Sequence, residues 1–213
     1  MTTPHHDGGL DPVTLEILRN RLEGIAEEMG QVLIRGAHSP NIKERQDCST
    51  ALFDVRGRMI AQAEHIPVHL GAMPEAVAAV RDRDPDPGDA YILNDPFAGG
   101  THLPDVTVVS TVAPAGEILG YAVTRAHHAD VGGGTPGSMP AGATEIYQEG
   151  LRIPGARIVA DGEIDEDILE FVLANVRNPA ERRADLRAQL AANDRGGRRL
   201  GDLRDDGDVP VGD

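Results

Sequence analysis

Leu15, Leu18, Leu22, Ile25, Met29 and Val32 recur at alternating spacings of three and four, which lays one apolar stripe along a helix. Asp11-Pro12 opens that helix with an aspartate able to cap and a proline suited to its first position, and the pattern fades near Ala37. Beyond it the period changes. Residues 49–54 and 59–63 read as short strands hinged at Arg56-Gly57. Met73-Pro74 starts a second helix carried by Ala76, Val77 and Val80, which stops in the acidic, proline-punctuated stretch 81–89. Residues 91–93 form a buried strand leading into Asn94-Asp95-Pro96. Residues 106–112 and 118–126 are both β-rich, and Ala113-Pro114-Ala115-Gly116 between them predicts an antiparallel hairpin. Residues 132–142, rich in glycine and proline, are loop, and 165–176 form a helix. Asn178-Pro179-Ala180-Glu181 then offers an N-cap, a first-position proline and a capping-box glutamate to a last helix, which Gly196-Gly197 weakens.

Hairpins without regular βαβ alternation predict an α+β fold: mixed, largely antiparallel strands with packed helices. The expected organisation is a flexible N-terminus (1–10), one domain (11–200) and an acidic, disordered tail (201–213).

Composition narrows the function classes. Apolar residues make up 40% but aromatics only 3%, with no Trp, so Leu, Val, Ile and Ala must build the core. Twenty basic against 35 acidic side chains leave a formal charge of −15, which argues against nucleic acid or an anionic membrane as partner. Cys48 is the only cysteine, so an intrachain disulfide and a thiolate zinc site are both excluded. The first ten residues, with His5, His6 and Asp7, lack a signal-peptide pattern, and no apolar run approaches the roughly 20 residues of a membrane span. A cytoplasmic protein is expected.

The chemistry concentrates in histidines and carboxylates. In Gly99-Gly100-Thr101-His102-Leu103-Pro104-Asp105 the two glycines permit turns and Pro104 extends Leu103, so His102 and Asp105 can reach one ion across a bend. Imidazole with carboxylate suits zinc, manganese or ferrous iron. A hairpin centred near Ala115 pairs residues summing to about 230, which sets Asp105 against Arg125 and brings His127-His128 opposite residues 102–103. Adjacent strand residues point to opposite faces, so one of His127 and His128 joins the site, and a one-residue slip exchanges them. Asp95 and Asp130 lie in loops beside these ligands, where each could orient an imidazole or simply hold a turn. The run Gly132-Gly133-Gly134 could offer backbone N–H groups to an anion. Arg45 and Asp47 form a candidate substrate-pocket pair, with a surface ion pair as the plain alternative. In His65-Ile66-Pro67-Val68-His69 the proline enforces extension, placing the two histidines roughly 13 Å apart. They cannot share an ion, but one can line a pocket.

Several runs resemble the hydantoinase B/5-oxoprolinase family in order along the chain: Asn41-Ile42-Lys43-Glu44-Arg45 with Asp47 and Ser49, Phe53-Asp54, the run from His65 through Gly71, and Met73-Pro74. Asn94-Asp95-Pro96-Phe97, residues 99–105, and His127-His128 with Asp130-Val131-Gly132-Gly133 continue the resemblance, which spans about residues 11–200, the N-terminal portion of such proteins. The resemblance implies a divalent metal (Mn, Zn or Fe) held by His102, Asp105 and His127, which leaves His128, with Asp95 and Asp130, as candidate catalytic groups. Arg45, Asp47, His65 and His69 are then the candidate substrate pocket. It further implies a hydantoinase A-like partner that binds ATP, a hetero-oligomer, and a small cyclic-amide substrate. A ketone carboxylase subunit of the same family, or a truncated partner-binding remnant, is the alternative. An unrelated non-haem iron oxygenase with two His and one carboxylate is a further one.

Overall fold

The computed structural model describes residues 11–64 and 71–206. Helix α1 (Pro12–Gly36) is capped by Asp11, whose side chain accepts the N–H groups of Val13 and Thr14. A single turn, α2 (Pro40–Lys43), leads to strands β1 (Cys48–Asp54) and β2 (Met59–Glu64), followed by α3 (Met73–Arg81). Strands β3 (Ala90–Leu93), β4 (Asp105–Val112) and β5 (Gly120–His127) come next. After a long loop, β6 (Ala156–Ala160) and β7 (Glu163–Ile164) precede helices α4 (Glu166–Ala174) and α5 (Pro179–Asp205). The seven strands form one sheet in the order β2-β1-β5-β4-β3-β6-β7, and every pairing is antiparallel. The expected α+β class holds.

Alternation sorts the side chains of the central strands. Leu52, Ala122, Ala126 and Val112 pack with Leu33, Met29 and Ala192 of α1 and α5 on one face. Phe53, Val109, Val123 and Tyr121 pack with Val77 and Val80 of α3 on the other. A third cluster, Ile92, Val106, Val108, Ile158 and Leu169, joins β3, β4 and β6 to α4.

Four local expectations need correction. The β4–β5 hairpin pairs Asp105 with His127, so partners sum to 232 rather than about 230, because the connection turns at Gly116 rather than Ala115. The two-residue error is even, so every side chain keeps its face. Strands β6 and β7 were not anticipated; β6 holds only two large apolar residues, Ile158 and Val159, both buried. Asn178 does not cap α5 with its side chain, being left-handed (φ 54°), and Glu181 pairs with Arg182 instead of closing a capping box. Finally, α5 runs through Gly196-Gly197 and on to Asp205, five residues into the stretch expected to be tail. A Cβ at Gly196 would meet Met29 Sδ at 2.3 Å, so this glycine makes room for α1 against α5, and that packing outweighs its weak helix propensity.

Candidate metal centre

At the end of β4 and β5, on the α3 face, Asp105 and His127 stand directly opposite each other. The N–H of His127 donates to the carbonyl of Asp47, and that of Asp105 to the carbonyl of His102, closing the bend before β4. The bend depends on close backbone approach: a Cβ at Gly100 would lie 2.4 Å from the Asn94 carbonyl oxygen. His102 thereby folds back over the strand ends.

The carboxylate of Asp105, 3% exposed, is held between two imidazoles. His102 Nδ1 lies 2.7 Å from Oδ2 and His127 Nδ1 lies 3.1 Å from Oδ1. The Thr101 hydroxyl donates to Oδ2 at 3.0 Å. The two rings are 5.1 Å apart between centroids. One donor atom from each of His102, Asp105 and His127 lies within 4.8 Å of the others. His102 is 44% exposed and His127 15%, so the group opens to solvent on one side. The hydrogen bond to Asp105 raises the proton affinity of His102 above the ordinary imidazole value, despite partial burial. Two imidazoles and a carboxylate gathered within 4.8 Å are a donor set that fits a borderline divalent cation with positions left for water or substrate.

Other candidates land elsewhere. His128, one residue on, faces α5 and is sealed: its Nε2 lies 2.9 Å from Gln189 Oε1, and burial pushes its pKa down to about 4. It is therefore a neutral imidazole donating from Nε2 on the face away from Asp105, so strand alternation keeps it out of the group it was expected to join. Asp95 is a turn aspartate; it accepts the N–H of Phe97 and pairs with Arg152 at 3.5 Å rather than orienting a histidine. Asp130 likewise holds a loop, accepting N–H groups of Gly132, Gly137 and Arg177 together with the Arg177 guanidinium. Burial raises the proton affinity of Asp130, but these donors outweigh it and leave its pKa below the usual carboxylate range. Since Gly132 and Gly137 donate to Asp130 and Gly134 donates to Gln148, those N–H groups are not available to an anion, contrary to expectation. Arg45 lies exposed in the turn after α2, whereas Asp47 is half-buried beside the centre, where its charge acts on His102. His65 and His69 lie outside the described residues.

Sequence reasoning passed over Arg125. It occupies β5 two residues before His127, opposite Thr107, and is fully buried on the face that carries Asp105 and His127. Its Nε donates to Thr107 Oγ1 at 2.8 Å and its Nη2 to the carbonyls of Gly99 and Ala72. The guanidinium thus ties the sheet to the glycine bend and to the start of α3. A lone arginine inside an otherwise apolar strand run was the available signal.

The Hydantoinase B/oxoprolinase family profile matches residues 11–211. The chain belongs to that family. It is 43% identical over 190 residues to the 5-oxoprolinase of Dictyostelium discoideum, covering 88% of this chain and 15% of that protein. It is 37% identical over 199 residues to caprolactamase subunit beta of Pseudomonas jessenii, covering 92% of this chain and 34% of the subunit. The crystal structure of the ATP-dependent caprolactamase from that bacterium superposes with a TM-score of 0.86 at 36% identity, covering 95% of this chain and 35% of that one. A nucleotide-free acetone carboxylase has the same fold, with a TM-score of 0.84 at 21% identity over 91% of this chain and 26% of that one. The chain spans about a third or less of the length of these relatives. Among the described residues no helix is long and apolar enough to cross a membrane.

Proposed function

We propose that this chain is the metal-binding part of an ATP-dependent cyclic-amide hydrolase, working in the cytoplasm with a partner that binds ATP. One observation carries the reading: Asp105 flanked by His102 and His127, with three donor atoms within 4.8 Å. Those residues would hold a divalent cation (manganese, zinc or ferrous iron) by one carboxylate and two imidazoles. Such a cation supplies Lewis acidity, polarising an amide carbonyl or lowering the pKa of a bound water. Around it, Thr101 fixes Asp105 Oδ2, the Asp47 carbonyl fixes the backbone of His127, and the Gly100 bend delivers His102. Together these contacts hold the donors in place before substrate arrives.

ATP is assigned to a hydantoinase A-like partner because this sequence has no G-x-x-x-x-G-K-[ST] loop, and its one lysine, Lys43, follows no glycine-rich turn. The names of two relatives, caprolactamase and 5-oxoprolinase, support a cyclic amide as substrate. The ketone carboxylase alternative draws on the acetone carboxylase likeness, which at 21% identity speaks to fold alone. Greater identity to the caprolactamase favours amide hydrolysis.

Elemental analysis of the purified chain tests the metal. One equivalent of divalent metal is expected in the parent and none in His102→Ala or His127→Ala. A His102→Ala protein as metal-rich as its parent would refute the site. No ATPase activity is expected of the chain alone.

A further inference from the structure

The centre described above leaves one buried charge unanswered. Arg125 is 0% exposed, and its Nη1 amino group is buried without a hydrogen-bond partner. Its other donors are satisfied by neutral oxygens only: Thr107 Oγ1, the Gly99 carbonyl and the Ala72 carbonyl. The other deeply buried arginine, Arg182, differs in kind, because it pairs with the carboxylates of Asp185 and Glu181. Among the described residues Arg125 has no such ion pair. A guanidinium stays charged, and a buried cation with neutral acceptors alone is costly.

Its position points to what completes it. Thr107 and Arg125 form the pair next to Asp105 and His127 on the same face of the same two strands, so the guanidinium lies one strand step inward from the two ligands. The bend that presents His102 is the one whose Gly99 carbonyl Arg125 holds. A structural bracket explains Nε and Nη2 but not Nη1.

We infer that Arg125 is the oxyanion-binding arm of this centre: Nη1 takes an oxygen of a phosphate or carboxylate group whose other oxygen faces His102, Asp105 and His127. The inference rests on the metal reading and adds the charge class of the ligand. Held by Nε and Nη2, the guanidinium keeps Nη1 in one fixed direction, which a flexible lysine ammonium cannot reproduce.

The test uses the 213-residue chain loaded with Mn(II), whose paramagnetism broadens only nuclei held beside it. Inorganic phosphate is followed by 31P NMR and carboxyl-labelled acetate by 13C NMR, and free Mn(II) by EPR. The parent should broaden at least one of the two probes, and which one separates phosphate from carboxylate as the source. Arg125→Gln, compared with the parent at saturating Mn(II) so that any loosening of the Gly99 bend is offset, should weaken that oxyanion by about tenfold or more. Arg125→Lys, which keeps the charge, decides the matter if Arg125→Gln does not fold; it too should lose most of the affinity. A parent that binds Mn(II) but broadens neither probe, or variants that bind the oxyanion as the parent does, would overturn the role of Arg125 and leave the metal reading standing. A parent that takes up no Mn(II) overturns the metal reading first and this inference with it.

Discussion

His127 and His128 are neighbours in sequence with opposite fates. The imidazole of His127 opens toward Asp105 and His102 on the α3 face, 15% exposed and backed by a carboxylate. The imidazole of His128 points through the sheet to α5, closed off at 2% exposure and backed by an uncharged amide. Side-chain type says nothing about this difference. It follows from the two-residue period of β5, whose one face is sealed by a 27-residue helix while the other ends in a glycine bend and water. An open polar cluster and core packing can thus sit back to back on one strand, each needing only alternate positions.

The comparison breaks most readily at Asp105. Asp105→Ala should lower metal affinity more than about a hundredfold, beyond the roughly 10- to 100-fold expected for an outer contact. Competition with a chromophoric chelator measures it. His128→Ala should do the converse, costing about 2–4 kcal/mol of stability through a cavity and an orphaned Gln189 oxygen while metal stoichiometry stays intact. Urea unfolding with metal analysis on the same sample checks both halves, and metal loss with His128→Ala alone would mean the faces are exchanged.

Protons sharpen the contrast. His128 has a folded pKa of about 4 against 6.5 unfolded, so the unfolded chain binds the extra proton between those values. Its contribution to stability is therefore present above pH 6.5 and is lost as pH falls toward 4, by roughly 3 kcal/mol. The parent should lose that much more than His128→Asn over the same range, read from melts. His102 behaves in the opposite sense in the metal-free chain: its pKa is raised, so its contact with Asp105 weakens as pH rises through that value. In a histidine-resolved NMR titration His102 should titrate above 6.5 and His128 far below it. The smallest change expected is for Thr101→Val, which removes one hydroxyl from Asp105 Oδ2 and should weaken the metal by about threefold to tenfold.

How much of this could be read from the chain depends on how local the cause is. The bend at residues 99–105 and the hairpin that answers it are written in glycine, proline and β-branched residues within a few positions. Even a turn centre misplaced by one residue preserved the faces, since it shifts the pairing sum by two. The fate of His128 was not legible in this way, because Gln189 arrives from 61 residues away. Asp95 and Asp130 looked like candidates to orient a histidine; their partners turned out to be Phe97, Arg152, Gly137 and Arg177, set by loop closure rather than spacing. Continuation of α5 past Gly196 depended on Met29, which only the packed structure brings there.

The strand order carries a further consequence. β4 and β5 lie in the interior of the sheet, with β1 and β2 beyond one and β3, β6 and β7 beyond the other. Backbone amides there should exchange with solvent only when the whole domain opens. Asp105 and His127 belong to those strands, but His102 sits on the bend outside them. An ion held by all three would therefore leave on the timescale of a loop motion, swinging out on His102 while the other two donors stay put. Its residence time should follow mutations in residues 99–102, not the global unfolding rate.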